Sequence, residues 1–391
     1  MTVAADRDAA FLAGVGEIAD TIAAVHADDV DRRARFPVEA VDALRAQRAL
    51  SAFVPEEHGG AGVSLRAIAE ACFVLGRRCG ATAMVFAMHQ IQVATIVRHL
   101  DGAAYFEDSL RRLVAEQRLI ASATSEVGTG GDMSKSVAAL TPVDGAPDRR
   151  SFEKQAPTVS YGQHADDLLT TLRAHPGAQP GEQVAVLHAT DATELEVTGT
   201  WDPLGMRGTC SPGFVVRAEV GAEQALPVPF STIATETMVP VSHLLWAHVW
   251  LGIATDAFDR ARAFVRAAAR RAPGEPVPAA VKLSHVMTQL AMLRAEVHTA
   301  LEEFLAADED RERLATMAFA LHFNNLKLAA SEQAPRVCQG AMGVCGIVGF
   351  KNDTPFSVGR HLRDSMSAAL MVANDRLHQT NAGLLLIAKE V

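Results

Sequence analysis

Several stretches of this chain carry glycines and hydroxyls suited to holding a planar ligand. From Ser122 to Asp132 the residues read SATSEVGTGGD, with hydroxyls at Ser122, Thr124 and Ser125 and glycines at Gly128, Gly130 and Gly131. A glycine-rich turn lets backbone N–H groups approach a planar heterocycle and donate to it, which matters most when the ring becomes anionic on reduction. Thr158-Val159-Ser160 is a second short segment of this kind, and Arg207 and Thr209 stand in WDPLGMRGT, which begins at Trp201. Gln339-Gly340-Ala341-Met342-Gly343, followed by Gly346, Pro355 and Arg363-Asp364, is a third run rich in small residues. Arg270 and Arg271 stand together just ahead of Gly274. Proton transfer needs a further group. The candidates are His89, His243 and His248, whose imidazoles titrate near neutrality, with Ser242, Glu236 and Asp375.

The elements that must position these residues fall into three blocks. Up to about Leu119, apolar residues recur at helical spacing, as in FLAGVGEIADTIAAV and ATAMVFAMHQIQVATIVRHL, broken by the loop VPEEHGGAG. Pro37 fits the first turn of the helix that follows it. Between residues 120 and 230 short β-branched runs alternate with Gly, Pro and Asp clusters, which predicts a small antiparallel β domain with VDGAPDRRS and HPGAQPGEQ as hairpin loops. From 231 to 391 long amphipathic helices return, with breaks at APGEPVP, ADEDRER and GIVGFKNDTP. The expected fold is α+β and mostly α: an N-terminal helical domain (1–119), a middle β-barrel-like domain (120–230) and a C-terminal four-helix bundle (231–391).

Composition narrows the function. A chain of 391 residues that is 49% hydrophobic can bury a large core, and its net charge of −10 without a basic stripe argues against nucleic acid. The first twenty residues lack the basic and apolar regions of a signal peptide. No uncharged apolar run of about 18 residues occurs, so no membrane insertion is expected. The five cysteines form no CxxC pair and read as reduced thiols of a cytoplasmic protein, with no metal or disulfide role. Cys72 and Cys79, seven apart, are expected on one buried face.

These motifs, in this order of domains, resemble the acyl-CoA dehydrogenase family over nearly the whole chain. The resemblance implies that Ser122, Thr124, Ser125, Gly130 and Gly131 contact a flavin, Gly131 standing where a serine usually meets the acyl substrate. It implies that Thr158, Val159 and Ser160 form a strand packed on the flavin ring, with Thr158 in place of the usual Trp or Phe. Gln339, Gly340 and Gly343 would receive the adenine-diphosphate arm of a neighbouring subunit's FAD, and Arg271 would pair with its pyrophosphate. Here one residue is inserted in the glycine loop, and Met342 stands where a glycine is usual.

The family's catalytic glutamate is missing from both of its usual places. Eight residues after Asp364 stands Val372, followed by Ala373 and by Asn374, which is expected to cap the last helix beside the cofactor. Ten residues before Gly252 stands Ser242, followed by His243. Either the base comes from His243, His89, Ser242 or Asp375, or no α-proton is removed. The resemblance therefore implies an FAD-dependent oxidoreductase that desaturates an acyl thioester carried by CoA or an acyl-carrier protein. The alternatives are a monooxygenase on the same fold, using reduced flavin (FMN or FAD) and O2, and a binding homologue without catalysis. An electron acceptor or flavin reductase, and assembly as a homodimer or homotetramer, are implied with it.

Overall fold

A computed structural model describes residues 3–308 and 310–388 of the chain. The N-terminal block is helical: α1 (Val3–Ile18), a π-helical turn (Ala19–Ala23), α2 (Ala24–Arg33), α3 (Val38–Ala46), α4 (Leu65–Gly76), α5 (Gly80–His99) and α6 (Ala104–Glu116). Local chemistry sets several ends. Ser64 caps α4 by accepting from the Ala67 N–H, and α2 and α6 stop where Ala34 and Gln117 turn left-handed. Pro37 immediately precedes α3 rather than lying inside its first turn.

The middle block holds two small sheets. One has the order β1 (Ile120–Ala123), β4 (Asp167–Arg173), β5 (Gln183–Ala189). The other has the order β2 (Thr141–Val143), β3 (Ala146–Ala156), β7 (Phe214–Gly221), β6 (Thr193–Val197). The expected hairpins join β2 to β3 and β4 to β5. The sheets are not wholly antiparallel, however: β1 pairs parallel to β4, Ser122 opposite Leu169. A parallel pair needs a long crossover, and residues 124–166 supply it.

The C-terminal block runs α7 (Phe230–Ile233), a second π-helical turn (Ala234–Met238), α8 (Val239–Arg271), α9 (Ala279–Asp308), α10 (Arg311–Leu314), α11 (Met317–Cys345), α12 (Ile347–Phe350), α13 (Gly359–Met366) and α14 (Asn374–Leu385). The 33-residue α8 is the spine, packing against α9 and α11 on one side and α4 and α5 on the other. Its Gly252 lies inside the helix; with Gly76 it lets α8 and α4 cross almost backbone to backbone. A Cβ on Gly76 would lie 2.6 Å from the Val249 carbonyl oxygen.

Polar groups fasten the three blocks together. Asp364, fully enclosed in α13, accepts from the Met206 N–H at 2.8 Å, and burial pushes its carboxyl up to about 6. Neighbouring Arg363 pairs with Asp31 of α2 and donates to the Leu204 carbonyl (3.0 Å), while Arg207 donates to the Asp31 carbonyl (2.8 Å). Arg363-Asp364 is thus an interblock clasp.

Cys72 and Cys79 are both buried, but on different elements: Cys72 is inside α4 and Cys79 precedes α5. Contrary to the sequence expectation, three helical stretches among the described residues, Ala4–Arg33, Gly80–His99 and Phe230–Arg271, are long and apolar enough to cross a membrane; residues 80–97 and 237–255 carry no Asp, Glu, Lys or Arg. In the last two, 89% of the apolar window is buried inside the protein.

Candidate active site

The hydroxyl-bearing end of β1 and the glycine turn beyond it meet the segment after β3. Ser122 lies in β1, partly exposed, and Thr124 and Ser125 follow it as the strand ends. The Ser125 hydroxyl donates to the Thr158 carbonyl at 2.7 Å, so two of the stretches singled out from sequence share one edge. Thr158 to Ser160 is a turn rather than a strand, because β3 ends at Ala156 and Pro157 has no N–H to continue the ladder. Thr158 is exposed, Val159 buries its side chain, and the Ser160 hydroxyl accepts from Ser211 at 2.9 Å.

The turn itself has the predicted backbone: Gly128, Gly130 and Gly131 all have positive φ (92°, 61° and 80°), a region costly for residues with a Cβ. Space above Gly130 and Gly131 is open up to the Arg376 guanidinium, about 3.9 Å from where a Cβ would sit. Arg376 reaches over from α14, donates to the Gly130 carbonyl and stands 3.6 Å from Asp132.

Beneath the turn lies a group that sequence reasoning passed over. Glu126 is 5% exposed, and its carboxylate accepts from the Ser136 hydroxyl (2.7 Å) and from the Val137 and Ala138 N–H groups (3.1 and 2.6 Å). Lys154 of β3, with no exposed surface, stands 3.4 Å from it and donates to the Thr171 carbonyl and hydroxyl. Burial pulls this ammonium down to about 8 against the opposing pull of Glu126. Glu126 is therefore an organiser of the loop and not a base. The signal was a lone lysine in the β3 run, FEKQAP, which alternation places facing inward.

The histidines nominated as bases are structural. His89 is buried, with Nε2 2.8 Å from the Leu50 carbonyl and Nδ1 accepting from the Ile120 N–H at 3.0 Å, so both nitrogens are committed. Burial lowers its pKa to about 4. His243 donates from Nδ1 to the Phe323 carbonyl at 3.0 Å, and burial, with the charge of Lys327 adding, takes it to about 3. His248 donates to the Leu244 carbonyl and is held near 4 by burial. Bases so weak are poorly matched to proton abstraction at neutral pH. Ser242 is buried beside His243 on α8, and Asp375 is exposed in the first turn of α14.

The start of α14 departs from expectation. Asn374 does not cap the helix; it is the first helical residue, and its side chain turns inward to accept from Lys327 Nζ (2.6 Å) and to meet the Ser331 hydroxyl. Lys327, fully buried in α11, is brought down to about 8 by burial. Immediately before, Val372 has φ +47°, a conformation strained for a β-branched residue, at the place where the resemblance expected the glutamate.

The expected pyrophosphate loop is also absent, since α11 continues as a helix through Gln339, Gly340 and Gly343 to Cys345. Gly340 is a packing position: a Cβ there would meet Val286 of α9 at 2.7 Å. Gln339 and Gly343 are exposed, as is Arg271 at the end of α8, and among the described residues no hydrogen bond or ion pair joins them to the Ser122–Ser160 edge.

The family model for the acyl-CoA dehydrogenase N-terminal domain matches residues 5–134, and that for the C-terminal domain matches residues 232–372. The chain is 24% identical over 357 residues to a probable acyl-CoA dehydrogenase, YngJ, of Bacillus subtilis, covering 88% of each. It is 28% identical over 400 residues to the L-evernosamine nitrososynthase of a Micromonospora species, covering 94% of this chain and 89% of that one. Among solved structures, the FMN-bound TdsC of Paenibacillus sp. A11-2 superposes with a TM-score of 0.81 at 20% identity, over 96% of this chain and 97% of that one. A flavin-binding fold, the mostly helical architecture and matched domains at both ends lead to one assignment: the chain belongs to the acyl-CoA dehydrogenase family.

Proposed function

We propose that this chain is a flavin-dependent monooxygenase that takes reduced flavin from a separate reductase. The observation that carries this reading is the absence of a competent base at either glutamate position: Val372 and Ser242 occupy them, and neighbouring His243 is buried near pKa 3. Oxygen insertion does not require removal of an α-proton, so it tolerates those replacements. One atom of O2 enters the substrate, the other leaves as water, and the two electrons come from the reduced flavin. The similarity to a nitrososynthase and to TdsC supports the same class.

The residues fit a flavin. Ser122 and Thr124 present hydroxyls, the positive-φ glycine turn presents backbone donors with open space above it, and Arg376 borders that space. Bound there, the flavin supplies the two-electron redox chemistry. Glu126 and Lys154 hold the turn in shape, and Asn374 is held by Lys327 and Ser331. FMN suffices for this donor set. FAD would additionally call on Arg271, Gln339 and Gly343 of a second subunit in a homodimer or homotetramer, since these are exposed and apart from the turn.

The second reading is α,β-desaturation of an acyl thioester, favoured by the similarity to YngJ. Asp375 would then be the base, being the one exposed carboxylate at the start of α14. A panel of acyl-CoAs added anaerobically to the flavin-loaded protein separates the two. No bleaching of the flavin is expected, and rapid bleaching by any acyl-CoA would replace the first reading with the second.

A further inference from the structure

On the face of α8 that meets α4 and α9 lies a cavity of about 280 Å³ that the flavin edge does not use. Three helices bring guanidiniums to it: Arg77 from the end of α4, Arg262 from α8 and Arg294 from α9. One carboxylate, Asp259, stands among them. Asp259 gives one oxygen to Arg77 (3.0 Å) and the other to Arg262 (2.7 Å), and both are then taken. Arg294 has no ion-pair partner among the described residues, and the Arg77 Nε is enclosed without an acceptor. The cavity is therefore lined by two more positive charges than negative ones. Its remaining wall is apolar: Phe73 and Phe258 lie under the Arg77 and Arg262 guanidiniums (5.9 and 5.8 Å), and Leu290 and Met287 close the α9 side.

Helical spacing makes this a single built surface. Phe73 and Arg77 are four apart on α4; Phe258 and Arg262 are four apart on α8; Met287, Leu290 and Arg294 follow at three and four on α9. The enclosed Arg77 Nε, a donor without an acceptor, carries a desolvation cost, which a carboxylate returns through a charge-assisted hydrogen bond, and the exposed guanidiniums of Arg262 and Arg294 can add to it. The volume is at the small end for ligand pockets, enough for a ring or short chain but not for a nucleotide.

We infer that this cavity binds a small carboxylate with an apolar body, an aryl or short alkyl monoacid, at a site separate from the flavin turn. The carboxylate meets Arg294 and the free donors of Arg77 and Arg262, and the body lies against Phe73, Phe258 and Met287.

Benzoate is the probe, titrated calorimetrically into the full-length flavin-loaded protein, with benzyl alcohol and sulfate as the neutral and the non-aromatic controls. One benzoate should bind saturably per chain, with both controls at least about tenfold weaker, the loss of one charge-assisted hydrogen bond. Arg294→Gln, at an exposed position, should weaken benzoate by a similar factor without changing the melting temperature. Met287→Trp should block binding by filling the cavity while leaving every charge in place. Benzoate must also leave the visible flavin absorption unshifted. The inference is overturned if benzoate does not saturate, if binding survives both substitutions, or if it perturbs the flavin spectrum. It is equally overturned if Arg294→Gln instead dissociates an oligomer, which would make the cavity a subunit contact.

Discussion

Replacing Glu126 by glutamine is the sharpest perturbation of the glycine turn. Its carboxylate accepts three hydrogen bonds and faces Lys154 at 3.4 Å with both side chains withdrawn from water. Glutamine keeps the length and one acceptor oxygen, but it presents an NH2 where an oxygen met Ser136 and Lys154. The ammonium is left with Thr171 alone. Breaking a buried ion pair costs about 3–5 kcal/mol. Because burial already holds Lys154 near 8 with the carboxylate present, the variant sheds the proton readily, which limits the loss to about 3 kcal/mol at neutral pH. At about 2–4 °C per kcal/mol, the melting temperature should fall by about 6–12 °C. Flavin affinity, read by fluorescence quenching, should fall at least about tenfold, because the strands and turn that hold the ligand lose their anchor. Adding Lys154→Met to Glu126→Gln should recover most of the melting temperature, since an apolar side chain replaces a stranded charge. A Glu126→Gln protein melting within about 1 °C of the parent would refute the assignment of this pair as the anchor of the turn.

Three other perturbations test the remaining assignments. His89→Ala strips partners from the Leu50 carbonyl and Ile120 N–H and should cost about 2–4 kcal/mol in urea unfolding, while the pH–rate profile keeps its shape; a lost ionisation in that profile would restore His89 as a base. Lys327 sits below its unfolded pKa of 10.5, at about 8, so between these values the unfolded chain holds a proton the folded protein has released, and stability rises with pH. Relative to Lys327→Met, the parent should gain at most about 3 kcal/mol from pH 8 to 10.5, and a flat difference would contradict the burial of this ammonium. Val372→Gly should relieve about 1–2 kcal/mol of left-handed strain against about 0.5–1 kcal/mol of added chain entropy, giving a small rise in melting temperature; a fall would mean that the valine side chain contributes more packing than strain.

Much of the architecture was legible because it rests on local patterns. Helical periodicity located the long helices and their Pro- and Gly-rich breaks, and β-branched runs located most of the strands. The glycine turn was recognisable because only glycine takes three positive φ values so cheaply. What failed depended on partners distant in sequence. Gly340 looked like loop because composition does not distinguish a flexible glycine from one shaved to admit Val286 of another helix. His89 and His243 looked like bases because an imidazole's role is set by what faces it, here the Leu50 and Phe323 carbonyls. Asn374 looked like a cap until Lys327, 47 residues away, claimed its oxygen. Lys154 was missed because its partner Glu126 lies on another segment. The parallel pairing of β1 with β4 is equally non-local.

Isotope incorporation tests the proposed chemistry most directly. The protein is supplied with FMN, a flavin reductase and NADH under 18O2, with a panel of amines, sulfides and acyl-CoAs as parallel substrates. One 18O atom should appear in the product of any substrate that turns over, while the acyl-CoAs neither take up label nor bleach the flavin anaerobically. An acyl-CoA that bleaches the flavin without oxygen and yields an unlabelled α,β-unsaturated thioester would contradict the monooxygenase assignment and point to Asp375 as the base.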